Sequence, residues 1–95
     1  MEVIALTTYV EWLAGLKNRR DALRISARIL RIEQGNFGDT KTVGGGVSEL
    51  RFTFGAGYRV YYTIRDGTVC ILLGGGTKHR QQKDIANAQS LAARI

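Results

Sequence analysis

The spacing of apolar residues in the first third of the chain predicts a short strand at residues 2–6 and then two helices. The first helix contains Trp12, which we expect to anchor the core. After a turn at residues 17–20, Asp21 opens the second helix, whose apolar positions recur at helical spacing: Ala22, Ile25, Ile29 and Ile32. Its opposite side carries a row of arginines: Arg20, Arg24, Arg28 and Arg31. These elements predict a helical hairpin whose basic face is either solvated or a contact surface for nucleic acid or an acidic partner.

The pattern changes after this hairpin. Residues 35–46 contain five glycines beside short polar residues, a composition that predicts a surface loop. Strand patterns follow at residues 47–54, 58–65 and 68–73. A triple-glycine segment at 74–76 then leads into a last helix with apolar positions Ile85, Ala88, Leu91, Ala92 and Ile95. The order β-α-α-β-β-β-α indicates an α+β domain, in which the hairpin covers one face of a small, mainly antiparallel sheet and leaves the other face open.

Alternation along the predicted strands sorts their side chains onto two faces. If the apolar side packs on the helical hairpin, four polar residues share the open face: Arg51, Arg59, Tyr61 and Arg65. Such a face suits RNA, because guanidinium groups neutralise phosphate oxygens and a tyrosine ring stacks on a splayed base. An ordinary solvated sheet face has the same composition, so the pattern alone leaves both interpretations open.

Length and charge narrow the class of partner. The 95 residues fit one domain, 1–95, and the net charge of +6 favours a polyanion. Ten of the fourteen cationic residues are arginines, whose planar fork matches phosphate. The single cysteine, Cys70, lies in an apolar run and is predicted to be a buried, inert thiol, which excludes a disulfide within the chain and a cysteine metal cluster. We see no leader and no long apolar segment, and therefore expect a cytoplasmic protein without a membrane partner.

The densest polar cluster precedes the last helix and contains Lys78, His79, Arg80 and Lys83. Three glycines before a helix start resemble a phosphate cradle, although a solvated helix start has the same composition. The nucleotide-loop and dinucleotide fingerprints are absent, so we expect no such cofactor. His79 is the only histidine, which excludes a histidine metal site but leaves a proton carrier near neutral pH.

Four motifs between residues 49 and 88 occur together: Glu49-Leu50-Arg51, Gly55-Ala56-Gly57-Tyr58-Arg59-Val60-Tyr61-Tyr62, Leu72-Leu73-Gly74-Gly75-Gly76-Thr77-Lys78, and Gln82-Lys83-Asp84-Ile85 with Ala88. Their combination resembles the addiction-module killer (HigB-like) branch of the RelE/ParE superfamily. The resemblance implies a RelE-like fold and a toxin of a type II toxin–antitoxin module. It also implies a cognate antitoxin, typically of helix-turn-helix type, that joins the toxin on operator DNA. Many relatives cut messenger RNA on the ribosome by attack of the 2′-hydroxyl, without a metal or cofactor.

On this resemblance, Arg51 and Arg59 stabilise the charged phosphate, and Lys78 contacts it or transfers a proton. His79 and Tyr61 would assist catalysis, and three further cations would bind RNA: Arg65, Arg80 and Lys83. The sequence departs from the family pattern at Thr77, where an acidic residue is more common, and at His79 and Arg80, where small hydroxyl residues are. Two other functions stay open: a non-enzymatic, ParE-like poison of DNA gyrase, and a degenerate module that binds only antitoxin or operator.

Overall fold

A computed structural model describes residues 1–95 and consists of one five-stranded mixed sheet and three helices. The elements follow one another as β1 (Glu2–Ala5), α1 (Thr7–Ala14), α2 (Arg19–Ile32), β2 (Thr40–Gly44), β3 (Val47–Arg51), β4 (Tyr58–Arg65), β5 (Val69–Thr77) and α3 (Gln81–Arg94). The strand order is β1-β5-β4-β3-β2, in which β1 pairs with β5 in parallel and every other pair is antiparallel. The predicted α+β class is therefore confirmed. No helix has the length and apolar character needed to cross a membrane.

The hairpin of α1 and α2 covers one face of the sheet. Ile25 and Ile32 of α2 are fully buried in a core that also contains Val60 of β4 and Cys70 of β5. Burial raises the pKa of the Cys70 thiol to about 11, as expected for the predicted inert cysteine. The second helix begins earlier than predicted, at Arg19, because the Asn18 side chain accepts a hydrogen bond from the Asp21 amide at 3.1 Å and caps the helix.

The opposite face of the sheet is covered by α3, so the prediction of an open face is wrong. Ala88 and Ala92 are buried against Tyr61 of β4 and Leu73 of β5, and Val47 of β3 completes this second core. The helical spacing predicted for the C-terminal segment is confirmed, because these alanines belong to it. Spacing identifies the apolar stripe of a helix but does not indicate the sheet face on which the helix packs.

The glycine-rich segment predicted as a surface loop contains a strand. In β2, Thr40 and Thr42 pair with Leu50 and Ser48 of β3. Gly45 and Gly46 form the turn between the two strands, each with a positive φ that favours glycine. The prediction failed because the many glycines favour a loop, whereas the β-branched residues of β2 form a strand once they pair at the sheet edge.

The triple glycine also belongs to a strand, so the predicted phosphate cradle is wrong. Gly74, Gly75 and Gly76 continue β5 and pair with Tyr61, Val60 and Arg59 of β4. A Cβ at Gly75 would overlap the Trp12 indole of α1, and a Cβ at Gly76 would overlap the Asp84 carboxylate of α3. The glycines are therefore needed because helices pack directly on the backbone from both sides.

We expect Gly75→Ala to lower the free energy of unfolding by about 2–3 kcal/mol, because its methyl group would displace the Trp12 indole. Gly74→Ala is the matched control, since nothing lies within 4 Å of a Cβ at Gly74. Urea denaturation of both variants measures the difference. Equal stability of the two variants would contradict the close packing of Trp12 on β5.

Candidate functional site

Arg59, near the start of β4, has one side of its guanidinium fixed and the other free. Its Nη1 donates to the carbonyl oxygens of Tyr58 at 3.0 Å and Gly57 at 3.1 Å. Its Nε lies 3.8 Å from Oε2 of Glu49, and the side chain is only 11% exposed. No hydrogen bond of the structure uses Nη2, which is not among the buried unpartnered atoms. Nη2 is therefore held in place with its protons available to an anion.

Lys78 lies beside Arg59 at a glycine corner. The Lys78 amide donates to the Gly57 carbonyl at 2.8 Å. A Cβ at Gly57 would lie 3.2 Å from Cβ of Lys78 and 3.9 Å from Nη1 of Arg59, so both cations border the same small gap. Gly57 has a φ of 71°, which favours glycine here. The two predicted site residues meet because β4 begins where β5 ends.

Arg51 lies on the same face, directly opposite Arg59 in the pairing of β3 with β4. Its guanidinium is engaged by Asp39, with Nη2 at 2.8 Å and Nε at 3.2 Å from Oδ1. Asp39 precedes β2, which pairs with β3 on the side away from β4, so this ion pair draws the Arg51 charge away from Arg59. The structure thus brings the two arginines onto one face, where each is paired with a carboxylate, Arg51 with Asp39 and Arg59 with Glu49.

Tyr61 is buried, so its predicted place on an exposed face is wrong. The residue is 1% exposed because α3 packs over it. Burial, and to a smaller extent the nearby carboxylates of Glu49 and Asp84, raise the pKa of its phenol. The Tyr61 Oη has no hydrogen-bond partner. A base cannot stack on this ring without displacement of α3.

The remaining predicted site residues divide into two groups. Lys78, His79 and Arg80 form an exposed 3₁₀ turn, and together with Lys83 they border an open cleft of about 470 Å³ next to the Arg59 corner. Arg65 is separate: it ends β4, six residues from Arg59, and its Nη2 donates to the Ala92 carbonyl at 2.7 Å. This separation along the strand corresponds to roughly 20 Å.

Sequence reasoning missed two residues beside Arg59. Glu49 is 1% exposed, and its two carboxylate oxygens accept from Nε2 of Gln81 at 2.8 and 3.1 Å. Alternation had already placed Glu49 on the face of Arg51 and Arg59, and this was the signal that could have indicated a carboxylate partner. Nowhere do three His, Cys, Asp or Glu side chains gather as a metal ion would need.

Fold and site together define a small α+β domain with a cationic corner between the start of one central strand and the end of its neighbour. The chain belongs to one family with a Haemophilus influenzae protein described as an uncharacterized protein. The two are 45% identical over 95 residues, which cover 100% of this chain and 96% of that relative. No model of a protein family matches the chain.

Loss of the hydroxyl should change the free energy of unfolding differently at the two buried tyrosines next to this corner. Tyr58→Phe should cost about 1–3 kcal/mol, because it removes the 2.9 Å hydrogen bond from Oη to the buried Asp21 carboxylate. Tyr61→Phe should leave stability unchanged or raise it by about 1 kcal/mol, since the Tyr61 hydroxyl is buried without a partner. Thermal and urea unfolding measure both. A loss of stability in Tyr61→Phe as large as in Tyr58→Phe would contradict this assignment.

Proposed function

We propose that this protein is a toxin of a type II toxin–antitoxin module that cleaves messenger RNA on the ribosome. The observation that carries the proposal is the fixed Arg59 guanidinium, with Nη2 free, beside Lys78. The motifs that resemble the RelE/ParE superfamily support it, because they form the end of β3, the start of β4 and the end of β5, which border this corner. We infer a RelE-like fold on the same ground.

The proposed chemistry needs cations that are in place before charge develops. The 2′-oxygen of the RNA forms a bond to the adjacent phosphorus while the bond to the 5′-oxygen breaks, which leaves a cyclic phosphate and a 5′-hydroxyl. The 2′-hydroxyl loses its proton to a base, and the departing 5′-oxygen gains one. Arg59 stabilises the charge on the phosphate without reorganisation, since two backbone carbonyls already orient it. We assign proton transfer to Lys78 and His79, the titratable groups of the adjacent turn.

Arg59→Ala should reduce cleavage by on the order of 10²–10³-fold, as expected when a fixed donor to the reacting phosphate is removed. Lys78→Ala should have a smaller effect of the same sign. Arg65→Ala is the matched control, since Arg65 lies on the same strand but contacts the far end of α3. Primer extension on messenger RNA from a translating extract maps the cuts. If doses of the toxin that stop growth leave the messenger RNA uncut, the proposed endoribonuclease activity is contradicted.

The outer side of α2 has the features of a protein-binding surface, and we infer that its partner is the cognate antitoxin. Leu23 and Leu30 are 68% and 65% exposed and lie on one side of the helix, with Ala27 between them. We call Leu23, Ala27 and Leu30 the leucine ridge. Three arginines lie beside it: Arg20, Arg24 and Arg31. The only acidic residue of α2, Asp21, is buried. An acidic segment with apolar residues would complement the ridge in both charge and hydrophobicity.

The same ridge favours a second candidate function, a non-enzymatic ParE-like toxin that binds gyrase, because such a toxin needs a protein-binding surface and no phosphate site. Leu23→Ser with Leu30→Ser distinguishes the two. If the ridge binds antitoxin, the variant should stay toxic and should no longer be neutralised by co-expressed antitoxin. Loss of toxicity in the variant, together with a toxic wild type that leaves messenger RNA uncut, would favour the gyrase poison. Val10→Ser, at a half-exposed position of α1, is the control.

A further inference from the structure

The start of α3 covers a buried polar cluster whose hydrogen bonding is incomplete. Arg59 Nε and Tyr61 Oη are the two buried side-chain polar atoms of the protein without a partner, and both belong to residues on the sheet face beneath α3. Glu49 pairs directly with Tyr61 and lies diagonally from Arg59. Buried donors normally find acceptors, so an unpartnered guanidinium nitrogen near a carboxylate requires a cause.

The cause lies in Gln81, the first residue of α3. Its Nε2 donates to Oε1 of Glu49 at 2.8 Å and to Oε2 at 3.1 Å. Arg59 Nε is 3.8 Å from Oε2, so the two groups form an ion pair but no hydrogen bond. The amide of Gln81 therefore makes the two hydrogen bonds to the carboxylate, and the guanidinium makes none although it carries the opposite charge.

We propose that Gln81 is a positioning residue that keeps Arg59 available to phosphate by holding the Glu49 carboxylate short of a hydrogen bond to it. Without the two amide hydrogen bonds, Glu49 closes on Arg59 Nε, because both groups are buried and each gains a charge-assisted partner. Closure adds a hydrogen bond to the existing ion pair and so weakens the attraction of the free Nη2 for phosphate. Gln81 also borders the open cleft beside this corner, so the experiment must separate a direct contact with RNA from an effect through Glu49.

This contact also couples the arginine to the position of α3. Gln81 directly follows the turn formed by Lys78–Arg80, so one helix start sets both the orientation of Lys78 and the freedom of Arg59. A partner that shifts the start of α3 would break the amide contact and close Glu49 on Arg59. Arg59 would then bind phosphate more weakly without any contact between that partner and Arg59.

The experiment uses Gln81→Met, which keeps the side-chain volume and removes the amide, with Gln34→Met as a control at an exposed glutamine beyond the end of α2. The probe is a single-stranded RNA with 2′-O-methyl groups, which cannot be cut. The RNA-binding measurement rests on the proposed function. We expect Gln81→Met to bind the probe about tenfold more weakly, and Gln34→Met to bind like the wild type. Glu49→Gln combined with Gln81→Met should restore binding, because no carboxylate remains to close on Arg59.

A second readout does not depend on RNA. The Nε–H signal of Arg59 in an NMR spectrum, identified by its loss in Arg59→Lys, should shift in Gln81→Met and should exchange its proton more slowly. In the double variant the signal should return close to its wild-type position. An unchanged signal in Gln81→Met, or a double variant that binds as weakly as Gln81→Met, would overturn the proposal. If the Arg59 signal changes as expected but the wild type does not bind RNA, the role of Gln81 is upheld and the proposed function is rejected.

Discussion

The candidate site depends on the close approach of two helices to the last residues of β5, at strand positions that have no side chains. Trp12 of α1 lies directly on Gly75, and Asp84 of α3 lies directly on Gly76. Gly76 pairs with Arg59, so the place where α3 meets the sheet also sets the position of the turn that carries Lys78. A side chain at either glycine would separate a helix from the strand and disturb the cationic corner between them.

The net charge of the protein overstates its capacity to bind anions, because neighbouring groups engage several of the cations that sequence reasoning selected. Arg51 is paired with Asp39, and Arg65 donates to the end of α3. Arg28 binds backbone carbonyls, among them that of Asp39, and so holds the segment before β2. Arg59 differs in that two backbone carbonyls and the Glu49 carboxylate fix a largely buried guanidinium whose Nη2 makes no hydrogen bond. The capacity to bind phosphate therefore lies in how a cation is held more than in how many cations there are.

Local patterns predicted those parts of the fold whose residues are close in sequence. The helical spacing of Ile25 and Ile32 and the burial of Cys70 agree with the structure, as does the alternation that places Arg51 and Arg59 on one face. The strand within residues 35–46 was missed because its pairing with β3 outweighs the glycines around it. The extension of β5 through Gly76 was missed because triple glycine is typical of a loop.

By itself, the sequence determined an α+β domain, its helical hairpin and a sheet face rich in arginine, because helical and strand periodicities operate over a few residues. Only the tertiary structure decided that α3 covers that face and that Tyr61 and Glu49 are buried. It also decided that the Gln81 amide donates a hydrogen bond to the Glu49 carboxylate. Gln81 and Glu49 are 32 residues apart in the chain. Such contacts follow from how whole elements pack, and no local period of apolar and polar residues encodes them.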